Sequence, residues 1–466
     1  MSLINEKKNR SIEFTVKNEI KLDPSTPIPI QYGGDSFYII RGKKYIPFLG
    51  RPDNLPNLLL EARLTSPTQN ACITSIAQST IGDGLVAKDV ETPNPEFIEW
   101  AGCVNNEMQS LDEVFQNVID GERTHGNQFI EIARGSLGKS KFLKVYTHPM
   151  SDCRLGSPDE NTGYPTEVII SQLFAKNGYQ GNLNTATVLP LWNSKALDPN
   201  SCWKKMADGT ERTMLHFKNE VSGIKYYGLP ASISGLRHQV LEGKSVQYNI
   251  DNFDNNMVLG GMLILKSSMT EEEAQETAKK IMMSHIGDGK TGRIAVISSE
   301  SGLDDVDWKP YTTEKEGSFI ELDKRIEEKI IAANGWDAIL AGIAQKGGLG
   351  NGSSYVRSIW DVKESVLLNP LRKKLKSKVV LPIVQIYADW FGAKEIIKYK
   401  WAFQSAMPFS FLGDVDPETF MKVNEARGLA SLPADDTVKD KYLSEMKSKQ
   451  ASGNPVDPAT QNVKGN

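Results

Sequence analysis

The sequence predicts a mixed α+β chain built around two long helices that flank a small insert. Three observations carry this. Strand-like and helix-like segments interleave over the first ~225 residues. A helical run of unusual length follows, from Pro230 to Asn256. A compact strand–helix–strand pattern then separates it from a second long helix.

The N-terminal residues, to about 54, are rich in Pro and polar residues, with short β-like pieces SFYII and KKYIPFL. Residues 55–85 read as one helix ending at Gly82-Asp83-Gly84. Leu111–Arg123 is a second helix. Asn127–Gly135 and Phe142–Pro149 are strands around the turn Ser136–Ser140, and TEVIISQLF and TMLHFKNE continue the pattern.

The organising stretch is YYGLPASISGLRHQVLEGKSVQYNIDNFDNNMVLGGMLIL, Tyr226–Leu265. After a Gly-Leu-Pro turn, Ile233, Leu236, Val240, Val246, Ile250, Phe253 and Met257 recur mostly at steps of three or four. The helix would be roughly 40 Å long at 1.5 Å per residue. Its polar face is broad, and a narrow apolar seam on a long helix needs neighbours on more than one side. MLIL reads as a buried strand. Thr270–Ile286 is a helix with a capping box, Thr270 and Glu273. Gly292–Ser299 and Asp305–Tyr311 complete the insert as strands. The helix from Ser318 to about Ala333 carries Leu322, Ile326 and Ile330 on one face. The pattern is two antiparallel struts with a knob at one end.

Beyond the glycine-rich Gln345–Ser354, a long helix runs from Tyr355 through Trp390, kinked or interrupted near Pro370 and Pro382. EIIKYKWAFQ reads as a strand and Asp416–Leu429 as a helix. The last residues have disorder-prone composition.

Chemistry is sparse. The net charge of −4 does not demand nucleic acid, nor exclude a protein that lets DNA slide past. Four scattered cysteines suggest a reducing compartment, and the five histidines do not cluster with them, so no metal site is expected. No cofactor is implied, no apolar run is long enough to span a membrane, and MSLINEKKNRSIEF is too polar for a secretory signal. GDGKT (Gly287–Thr291) lacks the first glycine of a phosphate loop and sits between helix and strand in the wrong order. KGGLGNGSS lacks dinucleotide spacing, so it reads as a mobile linker or a working loop. LRKKLKSK (Leu371–Lys378) reads as a solvated basic face or a subunit contact before a DNA surface. His125, His148 and Asp152 form no evident dyad, and His238 and His285 read as structural. No catalytic residue is assigned.

The order of parts over about 55–435 resembles the portal proteins of long-tailed bacteriophages. ITSIAQSTIGDGL, NQFIEIARG with THPMSDCRL, the Tyr226–Leu265 block, EKIIAANGWDAILAGIAQKGGLGNGSSYVRSIWDVKESVLLNPL and VNEARGLASLPADD carry the resemblance, each weak alone. It implies a ring, commonly twelve subunits, at one capsid vertex, within the virion and in the host cytoplasm during assembly. Residues 1–229 would be an α+β wing, 230–257 the first stem helix and 258–316 a small α/β clip. Residues 317–344 would be the second stem helix and 345–354 the tunnel loop. Residues 355–415 would hold the long helix and a wing strand, and 416–466 a helical crown with a disordered tail. Lys346, Gly347, Gly348, Gly350, Asn351, Gly352 and Ser353 would then face double-stranded DNA. Glu272 and Glu276 would meet the terminase large subunit or the head–tail connector. Ile250, Phe253, Leu322, Ile326 and Ile330 would be buried between subunits. The major capsid protein or scaffold would be a further partner. An enzyme with an unrecognised cleft and another ring-forming head–tail adaptor are the alternatives.

Overall fold

The computed structural model describes residues 38–40, 43–48, 53–172, 174, 186–195, 199–255, 261–265, 306–310, 317–343, 353–406, 422 and 424. The chain divides into two compact units, 1–345 with 363–405, and 346–362 with 406–466. In the second unit the main described element is helix α7, Ser353–Lys363, whose last residue belongs to the first unit.

The first unit opens with the paired strands β1 (Tyr38–Ile40) and β2 (Lys43–Tyr45). The single helix expected over 55–85 is two helices, α1 (Leu55–Thr65) and α2 (Pro67–Ile81). The break lies at Ser66, whose side chain accepts from Gln69 N at 3.1 Å, with Pro67 filling the first helical position. Strand β3 (Leu85–Ala87) and helix α3 (Pro95–Gly102) follow. Helix α4 (Leu111–His125) starts at a capping box between Ser110 and Glu113 and ends at Gly126 in the left-handed region.

Strands β4 (Asn127–Leu137) and β5 (Ser140–His148) form the predicted hairpin, longer than expected at its turn end. Next come β6 (Cys153–Leu155), β7 (Glu167–Ile170), β8 (Thr187–Pro190), β9 (Lys204–Lys205) and β10 (Glu211–Lys218). The main sheet is antiparallel with order β5-β4-β10-β9. Alternation gives its two faces different work. Ile130, Ile132, Val145, Leu215 and Phe217 bury into a core shared with α4 and the later long helix. Phe129 and Met214 point the other way, toward Met150, Leu155 and Tyr227. Strands β6, β7 and β8 form a second antiparallel sheet.

Helix α5 spans Leu236–Asn255. Its expected first turn is instead a 3-10 turn, Ala231–Gly235. Strands β11 (Gly261–Leu265) and β12 (Val306–Pro310), which fall where MLIL and Asp305–Tyr311 were read as strands, pair antiparallel. Helix α6 spans Gly317–Asn334. The helix and strand expected at Thr270–Ile286 and Gly292–Ser299 lie outside the described residues, as does nearly all of Asp416–Leu429.

The long proline-bearing helix is not broken at its prolines. Glu364–Leu368 and Lys376–Val380 are π turns, followed by α8 (Asn369–Leu375) and α9 (Leu381–Phe391). Each π turn lies just ahead of a proline, Pro370 or Pro382, and Asn369 N and Leu381 N bond carbonyls five residues back. A proline lacks the amide that a tighter ladder needs, and its ring crowds the preceding turn; the wider turn absorbs both. The strand expected around 395–404 shrinks to β13, Trp401–Phe403, paired with β3. Lys394–Lys398 is a 3-10 turn that buries Ile396, whose carbonyl takes the Trp401 indole N–H at 2.9 Å. Arg372 corrects the reading of the basic run as a solvated face. It is buried, and it donates to the carbonyls of Thr80 and Ser79 at 2.7 Å each and to Glu364 at 2.8 Å. It thereby satisfies the otherwise open C-terminal end of α2.

His125 gives the body an acid limit. Burial and then the Arg63 guanidinium push its pKa down to about 4 from 6.5. The folded imidazole therefore stays neutral where the unfolded one protonates. Stability present above pH 6.5 is lost as pH falls from 6.5 toward 4. The expected loss between pH 7 and pH 5 is about 2 kcal/mol. Denaturant melts of the wild type and of His125→Gln at the two pH values check this: the variant should lose less stability on acidification than the wild type.

Candidate assembly interface

The two long helices were expected to run antiparallel, and their contacts show it. An added Cβ at Gly235 would lie 2.7 Å from Ala333 Cβ. Ser245 Oγ donates to Asp323 Oδ1 at 2.8 Å. Moving from 235 to 245 on one side moves from 333 to 323 on the other. A side chain at position 235 would hold the two segments apart there.

The root of the pair is polar. Gln69 Nε2 donates to Ser232 Oγ at 2.9 Å, and Asn334 Nδ2 donates to Gln69 Oε1 at 2.7 Å and Ile330 O at 2.9 Å. All three side chains are buried and mutually satisfied. Glu242 accepts from Ser66 Oγ and from Thr68 Oγ1, the latter at 2.6 Å, at the start of α2. The nearby Glu327 carboxyl is held above its usual range by burial and then by Glu242 and Glu328. Cys72 beside them has its thiol pushed up to about 12 by burial, with Glu242 and Glu327 adding to it. Helix α2 is thus the post to which both struts are tied. Sequence reasoning missed these residues, because isolated Ser, Thr, Gln, Asn and Glu carry no periodic signal.

Away from the root the struts emerge from the body. On α5 the seam runs Leu236, Gln239, Gly243, Val246, Ile250 and Phe253, at alternating steps of three and four. Leu236 is 5% exposed, but Val246 is 51% and Ile250 46%. On α6 Ile330 is fully buried, Ile326 is 2% exposed and Leu322 39%. Because the helices are antiparallel, both seams open at the same end, the end that leads to β11 and β12. Leu64 on α1, 72% exposed, adds to the uncovered apolar surface beside α5, since its neighbour Thr65 approaches Gly243.

This splits the interface expectation. Ile250 and Leu322 are open, as an interface requires. Ile326 and Ile330 are not: the chain buries them itself, because α2 and the 3-10 turn pack on that part of α6. Phe253 lies on α5. Lys346, Gly347, Gly348, Gly350, Asn351 and Gly352 lie outside the described residues, as do Glu272 and Glu276, and Ser353 begins α7.

Elsewhere, His148 does have an acidic partner. Its Nε2 lies 2.7 Å from Glu131 Oε2, and Arg212 Nη1 reaches Glu131 Oε1 at 3.1 Å. Both carboxylate oxygens are taken, so the cluster ties β5, β4 and β10 together. The cysteines Cys72, Cys103, Cys153 and Cys202 are free. Among the described residues no His, Cys, Asp and Glu group could hold a metal, and no helix is long and apolar enough to cross a membrane.

No protein-family model and no curated protein matches the chain. Among solved structures it is similar to a chain in the neck of an empty GTA (gene transfer agent) particle computed with C6 symmetry, at 15% identity and TM-score 0.48, covering 84% of this chain and 96% of that one. A chain in the neck of the native GTA particle computed with C12 symmetry gives 16% identity and TM-score 0.46, over 83% and 95%. An HK97 family phage portal protein from Corynebacterium diphtheriae gives 12% and 0.40, over 69% and 89%.

Proposed function

We propose that this chain is a portal-type subunit, which forms a ring through which a viral genome enters and leaves a capsid. The observation that carries the reading is the pair of antiparallel struts whose apolar seams are covered only at their root. A ring supplies the missing neighbours on both sides of every subunit. The portal-like order of sequence motifs, with the long Tyr226–Leu265 block at its centre, supports the same reading.

In this account α5 and α6 are the stem and 258–316 the clip, which meets the terminase motor and then the head–tail connector. Glu272 and Glu276 are the clip's proposed contact. Residues 345–354 form the tunnel loop, 1–229 with β13 the wing, and 416–466 the crown. The ring, of about twelve subunits by analogy, sits at the capsid vertex against the major capsid protein or scaffold. The subunit's work is mechanical and needs no cofactor. The motor hydrolyses ATP, and the ring guides duplex DNA without reading its sequence.

The tunnel loop offers a functional test. Contacts to DNA there must be weak, since every neutralised phosphate adds salt-dependent affinity. The segment carries four glycines, which present no side chain to a duplex. Replacing Gly347, Gly348, Gly350 and Gly352 together with Ala should leave rings assembled and sharply reduce the yield of DNA-filled particles. Normal yield with full-length DNA in that variant removes the loop from the channel.

A further inference from the structure

We propose that neighbouring copies of this chain meet head to tail through two oppositely charged ends of the body: the α3–α4 end of one copy against the α8 end of the next. The inference rests on the ring reading and assigns that ring a second contact, outside the stem.

Two helical elements run between these ends. Helix α4 begins at the Ser110 cap, and near its other end Glu122 pairs with Lys374 Nζ at 3.3 Å. Twelve residues of helix separate Ser110 from Glu122, about 18 Å at 1.5 Å each. The proline-bearing helix covers the same span. Lys374 sits at one end, and Tyr387 packs edge-on against Phe97 of α3 at the other, with ring centroids 5.0 Å apart. The two ends are therefore distinct surfaces of one body.

The α3–α4 end is acidic. Glu96, Glu99, Glu107 and Glu113 are exposed, and none forms an ion pair among the described residues. The bases tethered at this end are Lys144, whose Nζ is held by Asn106 Oδ1 at 2.6 Å, and Lys141, whose Nζ is held by Trp390 O at 2.8 Å. This end also presents apolar groups, Ile98 at 48% exposure and Met108 at 77%. Met108 is the one described non-glycine residue with positive φ, at 61°. The loop that holds it there is fully braced by Asn105. The Asn105 amide donates to Gln109 Oε1 at 2.8 Å and Val145 O at 3.0 Å, and its Oδ1 accepts from Glu107 N at 3.0 Å and Gln109 N at 3.2 Å. A rigid loop that projects an apolar side chain is prepared for contact, because little is left to order on binding.

The α8 end is basic. Lys373 and Lys378 are exposed and without an ion pair among the described residues. Burial, and then the nearby Lys378, hold the Lys218 ammonium below its usual range, while Glu220 acts in the opposite direction. Lys374 is already neutralised by the buried Glu122, and Glu220 is the remaining carboxylate beside Lys218. Val366, 72% exposed on the preceding π turn, supplies an apolar partner.

A closed ring of identical chains needs two different patches that fit each other, repeated around the axis. One acidic and one basic end on the same chain meet that requirement, and the pairing favours a second copy over duplex DNA, which could engage only the basic end. The contact should also be salt-sensitive.

The test uses the full chain with two charge reversals, Lys373→Glu with Lys378→Glu, and Glu99→Lys with Glu107→Lys. Circular dichroism confirms folding, and mass photometry reads assembly at low salt. Each variant alone should lose at least ten-fold in ring fraction. An equimolar mixture should recover rings, because alternating copies restore an acid–base contact at every interface. Wild-type rings should also lose stability as NaCl is raised to 1 M, a readout that does not depend on the variants folding. If the wild type forms no ring, the ring reading itself fails. If wild-type rings form and both variants assemble normally, or the folded variants stay unassembled when mixed, the head-to-tail contact is overturned while the ring stands. If the lysine variant assembles normally but loses binding to a duplex DNA fragment, the basic end serves DNA instead.

Discussion

Val246→Asp together with Ile250→Asp should abolish ring assembly and leave the individual chain folded. Both side chains lie on the open part of the α5 seam, at 51% and 46% exposure, so neither contributes much to the fold of a single copy. In a ring they would be enclosed by the neighbouring stem, and burying each aliphatic side chain is worth roughly 1.5–3 kcal/mol. Aspartate removes that gain and adds an unpaired buried carboxylate, at a cost of several kcal/mol per contact. Every subunit has two neighbours, so the penalty recurs around the ring. Sedimentation should show a single slow species with wild-type circular dichroism. Leu322→Asp tests the facing seam in the same way. Ile326→Asp and Ile330→Asp do not, because those residues are buried within the chain and their loss would unfold the subunit before it could inform on assembly.

Gly126→Ala should be the most damaging single methyl in the body, costing on the order of 4 kcal/mol or more. Gly126 has φ 74°, and a Cβ there would lie 2.1 Å from the carbonyl carbon of Leu229. That neighbour is backbone and cannot rotate away. The site is where the stem is launched. Asn127 Nδ2 donates to Gly228 O at 2.9 Å, Gly228 N donates to Asn127 Oδ1 at 2.7 Å, and Asn219 Nδ2 donates to Leu229 O at 2.8 Å. Two stretches about a hundred residues apart, 126–127 and 219–229, converge on one glycine, and displacing either moves the start of α5. Thermal melting should show a large drop or a chain that does not fold. Gly138→Ala is the contrast: φ is also positive, at 63°, but an added Cβ meets nothing, so only the local strain of about 1 kcal/mol applies.

The elements that could be read from the sequence were those with a repeating signal. The alternation in NQFIEIARG and its partner marked the central hairpin, spacing of three and four marked both struts, and the small insert between them implied their antiparallel arrangement. Single residues with tertiary roles were not legible. Ser66 divides one expected helix into two, and nothing in the apolar pattern marks that cap. The prolines at 370 and 382 announced kinks or interruptions, but not that π turns would carry the helix past them. The seam on α6 was identified correctly as apolar, yet periodicity cannot tell a stripe buried by its own chain from one left for a partner. That distinction needed the packing of α2 against Ile326 and Ile330. Arg372 shows the same limit for charge: it sits in a basic run, yet it alone is drawn inward to cap another helix.

The central claim is that this chain closes into a ring. Electron microscopy of the purified full-length protein, with particle mass measured on the same sample, tests it most directly. The account predicts annular particles with a central channel and a mass that is an integral multiple, about twelve-fold, of the 51.6 kDa chain. A uniform population of compact monomers or dimers, unchanged across protein concentration and salt, would contradict it.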